Sequence, residues 1–353
     1  MRDFGRSLGK MRVLEVSRYK GTMAGNISPF VLEQGDAIAK VLRESPVYGV
    51  QCKVYGEPSE VEYFLIKGNY LKAVGALKRK IREWKPDIVH AHFGLSAITA
   101  DLQGLVPVVT TFHNGETLNW HVNLMSSLMS LRAKHVIYVA QHIRDLSYFK
   151  AKRYSIIPCG VNMEECEVMD KAEARHRLGW DAKKKYILFG GAFDNLRKNY
   201  PLLREAVERL KDERMRGLED IEIVEMKGLS RKDCVLRMNA CDLFSLPSHS
   251  EGSPQALKEA MACNCPCLAT DIADVKYLFG DEPGHFILRN PRKTHERWDA
   301  DEKSLDEMVE LLKKALAFEG RTKGRERILE LELSNEQVAK RIITIYDNIL
   351  NNK

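Results

Sequence analysis

The sequence predicts an α/β protein of two Rossmann-like domains, each a doubly wound parallel sheet, facing across a cleft. Three observations carry that expectation. The chain has 353 residues, beyond the size at which one hydrophobic core keeps growing. Short apolar runs alternate with helical patterns in both halves, a rhythm that gives parallel strands covered by helices on both faces. Near the middle, Pro158 and Gly160 punctuate a link that interrupts the rhythm.

The elements follow in order. In the first half, strands are expected at 11–17, 50–55, 86–90, 107–112 and 135–139, and helices at 28–43, 69–84, 95–104, 121–131 and 141–149. In the second half, strands fit 186–190, 220–225, 242–246 and 266–269, and helices fit 200–211, 230–239 and 254–263. A helical, charge-rich tail runs from about 303, and its last helix starts at a capping box of Ser334 and Gln337. The domains are therefore expected at 1–160, with a C-terminal helix of about 336–353 packing back on it, and at 161–335. Residues 1–10 read as a basic extension without the apolar core of a signal peptide.

Composition narrows the class. Hydrophobic residues make up 44% and charged residues 29%, the balance of a soluble globular protein. No apolar run approaches the ~18 residues of a membrane span. Eight cysteines include no C-x-x-C pair, which points to reduced thiols in a cytoplasmic protein. Cys263, Cys265 and Cys267 alternate about a turn and read as small buried residues. Charge is uneven. Residues 1–160 hold 22 Lys+Arg against 13 Asp+Glu, and the remainder holds 33 against 36. The basic half suits an anionic acceptor, a membrane surface or nucleic acid.

Residues 251–259 are the most informative stretch. Glu251 and Glu259 flank a helix start, with Ser253 expected as its cap and Pro254 at the first helical position. An apolar strand, with Asp242 at its foot, leads into it. A helix N-terminus beside two carboxylates makes an anion site flanked by acceptors for sugar hydroxyls. Arg197 and Lys198 follow a strand that ends in Gly190 and Gly191, where two cations could grip a diphosphate. Gly21 and Gly25 follow the first strand, where glycine lets backbone approach phosphate, although no G-x-G-x-x-G is present.

His90, His92 and His113 end two adjacent apolar strands. No Cys or acid at metal spacing accompanies them, so no metal is expected. His113 reads as a polar contact to ligand and His90 as a packed strand residue. Asp299 and Asp301 form a D-x-D, but no apolar strand leads into it, which makes it a surface loop. Residues 67–85 interleave basic residues with an apolar set at 70, 74, 77, 81 and 84. Such a helix lies on anionic lipid or, more commonly, turns its apolar face into the core.

Together these pieces resemble glycosyltransferase family 4, the retaining family of GT-B fold known as glycosyl transferases group 1. Glu251 and Glu259 match its E-x7-E signature, and Arg197 and Lys198 stand where it carries R-K-G. The strands ending at His92 and His113 and the link at 157–162 are similar to its acceptor-domain and interdomain segments. The resemblance implies that Glu259 binds ribose hydroxyls and Glu251 hydroxyls of the transferred sugar. Arg197 and Lys198 would hold the diphosphate, aided by backbone N–H groups near Gln255 and Ala256, by Gly252 and Ser253, and by Gly25. His113 would sit beside the sugar. The base would lie near Met226 to Leu229, at Gly228. The chain departs from the family at Ala192, where an Arg is common, at Asn199 in place of Gly, and at Asn114 between His113 and Gly115.

The reaction implied is transfer of a sugar from a nucleoside diphosphate sugar, UDP-sugar favoured, to a hydroxyl on a saccharide or lipid-linked saccharide. Retention, no metal and no cofactor are expected, in cell-surface polysaccharide or glycolipid synthesis. The chain would be cytoplasmic, with a peripheral contact to the inner membrane face through the basic half. The rivals are a nucleotide-sugar-binding subunit without catalysis and a nucleotide-sugar epimerase. No helix-turn-helix, zinc-finger or RNA-reading motif supports nucleic-acid binding.

Overall fold

The computed structural model describes residues 11–20, 27–44, 61–212, 220–290 and 302–351. Gly25, Cys52, the expected strand at 50–55 and the Asp299–Asp301 loop lie outside them. The chain divides into two units, residues 1–160 with 335–353, and residues 161–334.

The first unit holds a six-stranded sheet of order β2-β1-β3-β4-β5-β6. The strands are β1 (Val13–Arg18), β2 (Val61–Ile66), β3 (Ile88–His92), β4 (Val108–Phe112), β5 (His135–Tyr138) and β6 (Tyr154–Ile156), and every pairing is parallel. The helices are α1 (Pro29–Glu44), α2 (Tyr70–Trp84), α3 (Gly94–Asp101), α4 (Trp120–Ser130), α5 (Gln141–Leu146) and, after the second unit, α13 (Asn335–Asn351). Asn69 caps α2 by accepting from the N–H groups of Leu71 and Lys72. Helix α2 buries Leu77, Ile81 and Trp84 among strand residues such as Val16 and Val89, so its apolar face is core. The expected helix at 141–149 stops at Leu146, because the Ser147 hydroxyl turns back to the Ile143 carbonyl and the chain becomes extended.

The second unit holds a five-stranded parallel sheet of order β11-β10-β9-β7-β8. Its strands are β7 (Lys185–Phe189), β8 (Ile221–Glu225), β9 (Leu243–Leu246), β10 (Cys267–Thr270) and β11 (His285–Leu288). Its helices are α6 (Lys171–Leu178), α7 (Tyr200–Asp212), α8 (Arg231–Ala240), α9 (Gln255–Ala262), α10 (Val275–Phe279), α11 (Glu302–Ala317) and α12 (Gly324–Glu330). Its core joins Ile187, Phe189 and Leu243 of the sheet to Leu203 and Val207 of α7 and Met308 and Leu312 of α11. Cys263, Cys265 and Cys267 are fully buried, and Cys265 Sγ lies 3.3 Å from Cys241 Sγ as free thiols. No helix among the described residues is long and apolar enough to cross a membrane.

Each sheet reverses its strand order once, between β1 and β3 in the first and between β7 and β9 in the second. Ligands of open parallel sheets bind at such switch points, outside the carboxyl ends of the strands.

His285 on β11 stacks on Phe279, with ring centroids 4.6 Å apart. Both ring nitrogens are buried, beside the Gly284 backbone. Burial lowers its pKa to about 4 from the usual 6.5. Between those values the unfolded chain takes the proton and the folded one does not, so stability is lost as pH falls. The second unit should weaken by on the order of 2 kcal/mol between about pH 7 and pH 5 from this residue. Urea unfolding of wild type and His285→Phe at the two pH values checks this; the variant should show the shallower dependence.

Candidate functional site

In the second unit, the loops after β7 and β9 meet at the switch point. Strand β7 leaves through Gly190 and Gly191, then a 3-10 turn at Leu196–Lys198. A Cβ on Gly191 would stand 2.8 Å from Lys198 Cγ, so only glycine lets the lysine lie across this turn. The Asn195 side chain accepts from the Arg197 N–H, and Asn199 ends the turn in the left-handed region at φ 57°. Asparagine enters that region more readily than other non-glycine residues. It therefore keeps the backbone course that the family's glycine would allow.

The turn aims both cations at Glu251. Lys198 Nζ lies 2.8 Å from Glu251 Oε1, and an Arg197 guanidinium nitrogen 3.5 Å from Oε2. Arg197 also donates to the Ser250 carbonyl at 3.0 Å, and its own carbonyl accepts from the His249 N–H at 2.9 Å. Glu251 is 8% exposed, so its charge needs these partners. Gly252 is buried behind it.

Helix α9 follows, and its start differs from the expected one. It begins at Gln255, with Pro254 in the capping position and no side-chain cap. Ser253 does not cap it. Its hydroxyl donates to Asp274 Oδ2 at 2.6 Å, a carboxylate brought from the loop after β10. Burial raises the Asp274 pKa, against the nearby Lys258. The first turn, with Gln255 and Ala256, still presents backbone N–H groups that no helical carbonyl can reach.

Glu259, one turn further, receives Arg231 at 2.6 Å, and Arg231 also pairs with Glu165 at 3.1 Å. Arg231 opens α8 behind Ser230, whose hydroxyl accepts from the Asp233 N–H. A cation in the first helical turn opposes the helix dipole, so an anion close by is the natural reason for it. The sequence carries that signal in Ser230 followed by Arg231. Gly228, at φ 72°, makes the turn between β8 and α8.

In the first unit, the switch point carries a buried histidine chain. Register pairs Glu15 of β1 with His90 of β3. Glu15 Oε2 lies 2.6 Å from His92 Nε2, and His92 Nδ1 lies 3.1 Å from His113 Nε2. His113 Nδ1 is 3.7 Å from Cys159 Sγ. His90 bonds Thr111 at 2.7 Å and Tyr346 of α13 at 2.5 Å, as a packed strand histidine, and burial drives its pKa well below the usual value. An acid therefore does accompany the histidines. The three ligand atoms of Glu15, His90 and His92 lie within 4.8 Å of one another, a spacing hidden in the sequence by the 74 residues between Glu15 and His90. Glu116, also missed, is buried and accepts from the N–H groups of Gly94 and His113 at 2.8 and 3.2 Å. It fixes the backbone that carries His113. Asn114 makes that turn at φ 101°.

Both halves match known family models. The Glycosyltransferase Family 4 model covers residues 48–165, and the model of glycosyl transferases group 1 covers residues 184–300. The chain belongs to glycosyltransferase family 4. Among its relatives, a Bacillus subtilis protein carries the name of a teichuronic acid biosynthesis glycosyltransferase, TuaC. It is 27% identical over 240 residues, 60% of this chain and 59% of its own length. Among solved structures, sucrose-phosphate synthase from Thermosynechococcus elongatus superposes with a TM-score of 0.74 at 16% identity, over 98% of this chain and 100% of its own. Anabaena HepE, solved with UDP and glucose, gives 0.66 at 12% identity, over 96% and 100%. At such identities these structures establish the GT-B fold of the family and no more.

Proposed function

We propose that this family 4 chain moves a sugar from a nucleoside diphosphate donor to a hydroxyl acceptor, with retention and without a metal ion. One observation carries the reading: Arg197 and Lys198 converge on buried Glu251 at the β7/β9 switch point, beside the first turn of α9. Two cations and a helix N-terminus can offset the charge of a leaving diphosphate without a divalent ion. In the donor complex the cations would turn to the diphosphate. Glu251 would then accept from hydroxyls of the transferred sugar, and Glu259, held by Arg231, from those of the ribose. The base would lie near Gly228. A leaving phosphate oxygen takes the acceptor proton on the face where the new bond forms, so no protein nucleophile is required.

The UDP and glucose held by HepE support a uridine donor, and the name of the Bacillus relative supports a role in surface polysaccharide synthesis. A cytoplasmic chain resting on the inner membrane face, where lipid-linked acceptors stand, fits the basic first half. Ala192 favours one second reading, a nucleotide-sugar-binding subunit, because the cation common there is missing.

Turnover of a UDP-sugar in the presence of EDTA tests the proposal. Release of UDP should continue unchanged. Complete loss restored only by a divalent ion would contradict the metal-free reading, and tight binding with neither transfer nor donor hydrolysis would favour the binding subunit.

A further inference from the structure

Helix α4 is built inside out. Its buried face is Asn123, Ser126, Ser127 and Ser130, while Trp120, Met125 and Leu128, with Leu131 just beyond, are exposed. The inward polarity has a local cause. A Cβ on Gly94 of α3 would stand 2.2 Å from Ser126 Cβ, so the two helices touch closely enough to admit only small side chains. Two of the serines bond to backbone, Ser127 donating to the Asn123 carbonyl at 2.7 Å and Ser130 to that of Ser127 at 2.7 Å, while the Ser126 hydroxyl is buried without a partner among the described residues. Nothing comparable accounts for the outward face. Trp120 is 59% exposed, and several large apolar side chains exposed on one short helix are the mark of an interaction site.

A second exposed apolar segment is anchored to the helix at its buried face. Asn123 donates to the Leu146 carbonyl at 2.8 Å and accepts from the Tyr148 N–H at 3.4 Å, which ties the segment after α5 to α4. That segment exposes Leu146, Tyr148 and Phe149. Its charges have one sign. Residues 117–154 contain six Lys and Arg and a single acid, Asp145. Arg132, Lys150, Lys152 and Arg153 are exposed, and Arg144 stacks on Tyr154 at 3.9 Å. Arg132, Lys134 and Arg153 also line a cavity of about 1010 Å³, together with Asp101 and the apolar Val106 and Ile345.

We propose that the outward face of α4 and the segment at 146–153 form the surface by which this protein rests on an anionic lipid bilayer. The proposal deepens the membrane contact suggested above by naming its surface, and it is independent of the donor chemistry. Exposed aromatic and aliphatic side chains enter the headgroup boundary while flanking cations meet lipid phosphates, the pattern of an interfacial helix. A protein partner would have to be acidic around an apolar centre; a bilayer of anionic lipid offers both features everywhere. The basic helix α2 adds charge only, since its apolar face is packed.

Sedimentation with vesicles tests this. Wild type should partition onto an equimolar mixture of phosphatidylcholine and phosphatidylglycerol at low salt, and little onto phosphatidylcholine alone. Lys150→Gln with Lys152→Gln should lower the partition coefficient about 25-fold, roughly fivefold per cation. Leu128→Gln with Phe149→Ser should lower it at least about tenfold. These side chains are exposed, so unchanged circular dichroism and unchanged UDP binding should accompany the loss. Wild type that stays in solution with anionic vesicles overturns the membrane reading as a whole. Variants that bind like wild type overturn this surface while leaving another in play. A wild-type dimer by light scattering that Leu128→Gln dissolves would make a second copy the occupant and also overturn it.

Discussion

Replacing Lys198 by alanine should lower sugar transfer by about 100- to 1,000-fold, the range for removing one charge-stabilising donor from a site. Lys198 is placed for this by Gly191 behind it and by the left-handed Asn199 after it, and its ammonium reaches Glu251 at 2.8 Å. The loss has two parts. A positive charge that the departing diphosphate would meet is gone, and Glu251 keeps only the longer contact to Arg197 at 3.5 Å. Steady-state release of UDP from a UDP-sugar measures the change. A variant within threefold of wild type would mean that the diphosphate is held elsewhere.

Asp242→Ala should cost the second unit about 3–5 kcal/mol, because it breaks a buried pair and leaves one partner charged. Asp242 stands at the foot of β9. Its carboxylate accepts from Arg175 at 2.6 Å, from Lys171 at 2.5 Å and from the Tyr186 N–H at 2.7 Å. It thereby ties α6 and β7 to β9 beneath the candidate site. Without it, the buried Arg175 guanidinium retains only the carbonyls of Ala240 and Ala182. Amide exchange of β7 and β9 reads the effect, since the slowest amides open with the whole unit. Unchanged protection would show that the ion network carries little of the stability.

Much of this architecture could be read from the residues. Strands with strong apolar runs, such as β4 and β9, stand within a residue or two of where alternation put them. Lys198 and Glu251 were legible because strand-end motifs need only local chain geometry. The failures share another cause. The edge strands β2, β6 and β11 carry little periodic signal, and two of them have only three or four residues. Strand β2 is six residues long but half-buried along most of its length, so its pattern is weak. Glu15 joins His92, and Arg231 joins Glu259, through pairings of strands and helices that no local pattern encodes. Ser253 has the right chemistry for a cap, yet Asp274 from 21 residues away takes its hydroxyl. Helix α6 was readable and missed: Asp170 accepts from the N–H groups of Ala172 and Glu173, and Gly179 ends the helix at φ 67°.

The proposed function requires that the second unit bind a nucleoside diphosphate through Arg197, Lys198 and Glu259. Calorimetric titration of UDP into wild type, Lys198→Ala and Glu259→Gln tests it most directly. Wild type should saturate with one UDP per chain, and each variant should bind more weakly by about 1.5–3 kcal/mol, the worth of a charge-assisted hydrogen bond. Equal affinity in all three proteins would contradict the account.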